Sequence, residues 1–336
     1  MITWKWGIFL VVVSCVISIF LTPWAARLAV RADALDRPTH RKRHGRIVPL
    51  WGGLSLWLSV MLTVLVGIVI SPVFRKLLMI RKGWFGWLLG GFLLGGTFIT
   101  AVGMADDHWG IPPKLKLLGQ CVVAGITVWF GIRVLGFIHP FDHHYVKLPF
   151  LVGGILAFGW IVLMMNAVNF IDGLDGLAAG TALISCAAFL TVCLLTRQVS
   201  TGWASVSLDL AAWLSLILAG SVAGFLVFNF HPARIFLGDS GSLFLGYALA
   251  CIALIGSLKS TAVFTTVLPV LIMAIPLADV LWAIVRRIRQ GQPISKGDKG
   301  HVHHRLLALG WSHRQVVLAL YAFNAACGGL AIWLAR

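Results

Sequence analysis

Residues 148–176 read LPFLVGGILAFGWIVLMMNAVNFIDGLDG. Positions 148–171 carry no Asp, Glu, Lys or Arg. Roughly twenty apolar residues cross a bilayer core as helix, and this run has that length. Its polar groups arrive together at one end, as Asn166, Asn169, Asp172 and Asp175. A chain that concentrates carboxylates and amides where an apolar span stops has placed chemistry at a membrane boundary.

Nine similar stretches surround it: 6–26, 47–74, 83–105, 117–132, 176–196, 210–233, 240–258, 260–278 and 315–335. The shortest, 117–132, is expected to continue past Arg133 toward Ile138. The first has no small-residue cleavage signature and reads as a retained helix. Of the 336 residues 59% are hydrophobic and only 11% charged, with mean hydropathy +0.93. A soluble domain is about a quarter charged. An ordinary soluble enzyme, a disordered chain and a disulfide-rich secreted module are thereby excluded. The expected fold is an all-α integral membrane protein, a polytopic bundle of about ten transmembrane helices within one domain, 1–336. An extra interfacial helix or an eleventh span near 71–85 is the alternative. Cys15, Cys121, Cys186, Cys193, Cys251 and Cys327 all fall in apolar stretches and read as small buried hydrophobes.

Orientation follows from the bases, which are enriched in cytoplasmic loops. With an outside N-terminus, one face receives residues 27–49, 105–116, 169–177, 229–242 and 286–314, and with them 17 of the 27 Lys and Arg. That face, expected to be cytoplasmic, also takes almost all the acids. Arg75, Lys76, Arg81 and Lys82 fall on the opposite face and run against the rule. The net charge of +16 suits anionic lipid and phosphorylated substrates, not nucleic acid.

All 11 acids are Asp. Five loops bring polar residues to the one face. Asp36–Arg46 mixes an acid with many bases that could hold phosphate, among them Arg41, Lys42 and Arg46. Asp106 and Asp107 adjoin at the end of a span, where mutual repulsion should raise one pKa and suit a general base or a shared ligand role. Asn169, Asp172 and Asp175 are spaced i, i+3, i+6 and would share one helical face, with oxygens suited to Mg²⁺. Gly238-Asp239-Ser240-Gly241-Ser242 has the makings of an anion-binding turn with one carboxylate. His301, His303, His304 and Arg305 lack a Cys or Glu to complete a zinc site, and suit a diphosphate or sugar better. Asp279 lies inside an apolar segment and its role stays open.

Together, Asp106-Asp107, Asn166…Asn169…Asp172-Gly-x-Asp175-Gly-Leu, Arg234-x-Phe-x-Gly-Asp239-x-Gly-Ser and His301-x-His303-His304-Arg305 resemble the polyprenyl-phosphate N-acetylhexosamine-1-phosphate transferases. The resemblance runs from Asp36 to about Gln315. The histidine segment and Asp36-Arg37-Pro38 are similar to the bacterial undecaprenyl-phosphate branch that uses UDP-N-acetylglucosamine and starts teichoic acids, O-antigens and similar envelope polymers. The phospho-N-acetylmuramoyl-pentapeptide translocases share the Asp motifs but differ at the histidine and first loops.

The resemblance implies attack of undecaprenyl phosphate on the β-phosphorus of a UDP-sugar, with UMP leaving. It implies a Mg²⁺ cofactor, with Mn²⁺ as a substitute, held by Asn169 and Asp239. It gives Asp106 or Asp107 the lipid phosphate, as base or as positioning group, Asp172 the orientation of the metal site or of nearby bases, and Asp175 the uracil ring. It leaves sugar and diphosphate to His301, His303, His304 and Arg305. It places the chain in the cell membrane, where a homodimer is allowed. An ion-coupled transporter is the rival reading. It calls for polar sites at the bilayer midplane, and these acids sit at one edge.

Overall fold

The computed structural model describes residues 4–37, 47–138, 144–256, 270–271, 273–289 and 302–335. The chain is helical: α1 Trp4–Arg31, α2 Gly52–Ile70, α3 Pro72–Trp109, α4 Pro113–Trp129, α5 Phe150–Ile171 and α6 Leu177–Val199. Then follow α7 Gly202–Asn229, α8 Gly238–Gly256, α9 Ala274–Arg289, α10 Val302–Ala308 and α11 His313–Leu334. Two short antiparallel pairs interrupt them, β1 Leu35–Asp36 with β2 Val48–Pro49, and β3 Gly136–Ile138 with β4 Tyr145–Lys147.

Eight of the described helices are long and apolar enough to cross a membrane. They correspond to eight of the ten expected spans. Of the other two, 117–132 appears as α4, 17 residues long. Most of 260–278 lies outside the described residues.

Several expected boundaries are corrected. Helix α4 does not continue to Ile138; it stops at Trp129, and 136–138 pair as a strand. Pro72 cannot donate to a continuing helix, so the 47–74 stretch divides at Ser71, whose side chain caps the next helix through Phe74 N–H at 3.2 Å. The basic segment 75–82 is therefore helical, as the alternative reading of 71–85 allowed, and forms the first turns of α3. Helix α7 begins at Gly202, before the expected 210. Asp209 is admitted there because Arg197 Nε donates to it at 2.8 Å. Finally, Asn169, Asp172 and Asp175 do not share a helical face. Asn169 ends α5, Asp172 caps it, and Asp175 lies in the turn before α6.

Helix α8 is the centre of the bundle. Every residue from Ser240 to Ile255 is buried, and α2, α3, α5, α6 and α7 pack around it. A helix apolar on all sides is a core element. Its first turn is reached very closely by its neighbours. A Cβ on Gly53 of α2 would stand 2.1 Å from the Ser240 carbonyl carbon, and one on Gly103 of α3 2.4 Å from Ser240 Cα. Only glycine permits these contacts. Some hydroxyls inside the spans return to their own helices, as Thr22 does to Ser18 O and Thr127 to Val123 O, and others cross, as Ser14 does to Ile217 O. Deep in the bundle the Tyr247 hydroxyl reaches the carbonyls of Gly91 and Phe92, both at 3.1 Å.

Candidate active site

The acids gather where α8 begins. Gly238 has φ 68°, a left-handed conformation that suits glycine, and Asp239 opens the helix. Asp107 Oδ1 accepts from Asp239 N–H at 2.7 Å and Oδ2 from Ser240 N–H at 3.1 Å. Asp107 therefore serves as the side-chain cap of α8, its charge set against the positive helix end. The preceding chain is tied down too: Phe236 N–H donates to Pro49 O at 2.9 Å, and Gly52 N–H to Phe236 O at 3.1 Å. The segment after the first loop thus braces the turn that carries Asp239.

Lys116, in the first turn of α4, reaches between two carboxylates. Its Nζ lies 2.9 Å from Asp106 Oδ2 and also donates to Asp239 Oδ2. Asn169 Nδ2 donates to Asp239 Oδ1 and, at 2.8 Å, to Ser242 Oγ. Asn166 is engaged elsewhere, with its Nδ2 2.6 Å from Gln120 Oε1. The result is a cluster of three acids, one ammonium and one amide drawn from α3, α4, α5 and α8. Asp172 borders it. Among the described residues no hydrogen bond to its carboxyl is found. Burial, then the neighbouring Asp239, Asp107 and Asp175, hold its pKa well above the usual carboxylate range.

Asp175 belongs to a second cluster. His231 Nδ1 lies 2.8 Å from Asp175 Oδ2, and Ala233 N–H donates to the same oxygen at 3.1 Å. His313, at the start of α11, brings Nε2 to 3.3 Å from the Asp175 carbonyl and stacks on His231 at 4.2 Å between centroids. A capping box of Ser312 and Gln315 fixes that helix end. Tyr321 donates to Gly176 O, and Asn229 Oδ1 accepts from Gly176 N–H at 3.1 Å. One ligand atom each from Asp175, His231 and His313 fall within 4.8 Å of one another, close enough to hold a metal ion.

Of the expected site residues, Asp106, Asp107, Asn169 and Asp239 meet directly, with Asp172 beside them. Arg305 lies exposed on α10. His303 and His304 are on the same helix, with side chains outside the described set. Arg41, Lys42, Arg46 and His301 lie outside the described residues. Lys116, His231 and His313 were not foreseen. A lysine just after an acid pair was the one available signal for Lys116, and a histidine inside Asn229-Phe-His231-Pro that for His231.

The model of glycosyl transferase family 4 matches residues 89–257, from mid-α3 through α8, and so includes the whole acid–lysine cluster. A probable undecaprenyl-phosphate N-acetylglucosaminyl 1-phosphate transferase of Bacillus subtilis is 37% identical over 92% of this chain and 80% of its own. The chain belongs to glycosyl transferase family 4. Other relatives of this family 4 member include a decaprenyl-phosphate N-acetylglucosaminephosphotransferase of Mycobacterium leprae. It is 35% identical over 93% of this chain and 81% of its own. A phospho-N-acetylmuramoyl-pentapeptide-transferase of Halalkalibacterium halodurans is 31% identical over 96% of this chain and 94% of its own. Family 4 membership thus joins a membrane-embedded helical bundle to phosphotransferase chemistry.

Proposed function

We propose that this protein transfers N-acetylglucosamine 1-phosphate from UDP-N-acetylglucosamine to undecaprenyl phosphate, releasing UMP, as an early membrane step of an envelope polymer. An oxygen of the lipid phosphate forms the new bond to the β-phosphorus. The bond from that phosphorus to the bridging oxygen breaks, and its electron pair leaves with UMP. The observation that carries this reading is the convergence of Asp106, Lys116, Asn169 and Asp239 at the first turn of a wholly buried helix. Phosphoryl transfer needs positioning and charge neutralisation more than covalent help.

Carboxylate and amide oxygens are hard donors, and the oxygens of Asp239, Asn169 and Asp172 fit Mg²⁺, with Mn²⁺ able to replace it. The ion, when bound, supplies charge neutralisation at the diphosphate. Lys116 already spans two carboxylates and presents an ammonium to incoming phosphate. Asp106 holds that ammonium and is assigned to the lipid phosphate. Asp107 is a positioning residue, since both its oxygens are engaged by α8. Asp175, fixed by His231, is assigned the nucleobase. His301, His303, His304 and Arg305 take sugar and diphosphate, and Arg41, Lys42 and Arg46 support a phosphate. The acid-bearing face is assigned to the cytoplasm of the cell membrane. A Cys at Arg75 should then react with an impermeant label from outside.

UMP release tests the whole reading. Purified protein in detergent, with undecaprenyl phosphate and Mg²⁺, should release UMP from UDP-N-acetylglucosamine and stop on EDTA addition. Release only from UDP-N-acetylmuramoyl-pentapeptide would keep the chemistry and change the donor. Release from neither, by folded protein, would overturn it.

A further inference from the structure

The basic start of α3 has no part in the acid cluster. Lys82 and Asp107 lie near opposite ends of a spanning segment, Lys82–Trp109, that is about 40 Å long at 1.5 Å per residue. The two groups therefore mark opposite membrane faces. Residues 72–81 form nearly three amphipathic turns, with Phe74, Leu77 and Leu78 buried and Arg75, Lys76 and Met79 exposed. Lys82 (φ 55°) and Gly83 (φ 83°) then take left-handed backbone conformations within α3, where the spanning segment begins. Among the described residues, Arg75, Lys76 and Lys82 form no ion pair. The described acid toward that end, Asp209, is taken by Arg197.

A groove opens beside Lys82. It has a volume of about 490 Å³ and is lined by Lys82, Trp84, Trp87, Phe130 and the glycines 83, 86 and 90. Its floor is open because side chains are missing: a Cβ on Gly86 would meet nothing nearer than 3.4 Å, and one on Gly90 nothing nearer than 3.8 Å. Its wall is aromatic, with Trp87 stacked on Phe130 at 4.4 Å between centroids. The groove thus places an aromatic wall at interface depth and a free ammonium at its rim. Its occupant must be apolar along one part and negative at one end.

We propose that this groove and the adjoining cations form a binding site for a phospholipid with an anionic headgroup, on the membrane face opposite the acid cluster. Trp84, Trp87 and Phe130 flank its glycerol and upper acyl region. Lys82, with Arg75 and Lys76 on the preceding turns, neutralises its phosphate. The site also gives a physical reason for four bases standing on the face where such residues are normally scarce. It is independent of the reaction assigned above.

Brominated lipids, which quench nearby tryptophan, provide the test. Full-length protein is reconstituted in vesicles where brominated phosphatidylglycerol replaces plain lipid stepwise, or brominated phosphatidylcholine does. Half-maximal quenching should need about tenfold less phosphatidylglycerol. Arg75→Gln/Lys76→Gln/Lys82→Gln should bring the two lipids together. Trp84→Phe/Trp87→Phe should remove the selective part of the signal. Should the triple variant elute as aggregate, Lys82→Gln alone should shift the midpoint by about fivefold. Equal quenching by both lipids in wild type would overturn the proposal. So would selectivity that survives loss of the cations, or a selective signal that survives loss of both tryptophans.

Discussion

The carboxylate of Asp107 and the backbone of Asp239 form one unit: Asp107 Oδ1 accepts from Asp239 N–H at 2.7 Å, across two helices far apart in sequence. The cap fixes where the Asp239 side chain starts. Asp107→Ala should lower stability by about 1–2 kcal/mol, the usual cost of a lost cap, and reduce UMP release. Asp107→Asn retains one acceptor oxygen and should recover part of the stability. Thermal midpoints in detergent check this. An unchanged midpoint in Asp107→Ala would refute the capping role.

Asp239→Asn should keep the fold and nearly abolish UMP release. The amide preserves shape and loses the charge that Lys116 and a divalent ion require. Near-normal turnover at saturating Mg²⁺ would remove Asp239 from the metal site.

Lys116→Met leaves Asp106 and Asp239 close together with no counter-charge. Removing one partner of a buried pair costs about 3 kcal/mol or more. Added Mg²⁺ should restore more of the thermal midpoint in this variant than in wild type. A midpoint that ignores Mg²⁺ would separate the lysine from the metal site.

The Asp172 carboxyl binds its proton more tightly in the folded protein than in the unfolded chain. Between the ordinary carboxylate range and the raised value the native state therefore keeps a proton that the unfolded chain has released. Stability from this group is present below the ordinary carboxylate range and is lost as pH rises toward the raised value. In EDTA, Asp172→Asn should be more stable than wild type at pH 8, with the gain vanishing below about pH 4. Its UMP release should fall sharply. Urea midpoints across pH test the sign, and a variant less stable at pH 8 would contradict it.

His231 and Ala233 hold one oxygen of Asp175, and the stacked His313 closes the group from α11. His231→Ala should raise KM for the UDP-sugar by about tenfold, the order of one charged hydrogen bond, with little change in kcat. His231→Asn should recover part of the loss. A fall in kcat at constant KM would place the histidine nearer the transferred phosphorus.

Much of this was legible from the chain. Long uncharged runs mark the helices because a bilayer demands them, and Asp106, Asp107, Asn169 and Asp239 were expected on one face because their spans end there. Lys116 was not, since its second partner, Asp239, is 123 positions away and only packing brings them together. Asp107 read as free chemistry because a cap supplied to another helix leaves no local pattern. The turns at 75–82 read as a loop because their bases masked the buried Phe74, Leu77 and Leu78. Asp209 hid the start of α7 for a related reason: its counter-ion lies on α6, and a count of charges registers the acid alone.

Helix α8 satisfies every compositional test for a membrane span and yet is walled in by protein along its length. Mutational tolerance should therefore be organised differently there. Along α1, exposed Ile8, Phe9, Val12, Val16 and Phe20 define a lipid-facing stripe where one apolar residue can replace another. Along α8 no such stripe exists, and a saturation scan should find intolerance without helical period. Selection then acts on this segment as on the interior of a soluble enzyme, and its sequence should drift more slowly than that of helices that merely match the bilayer.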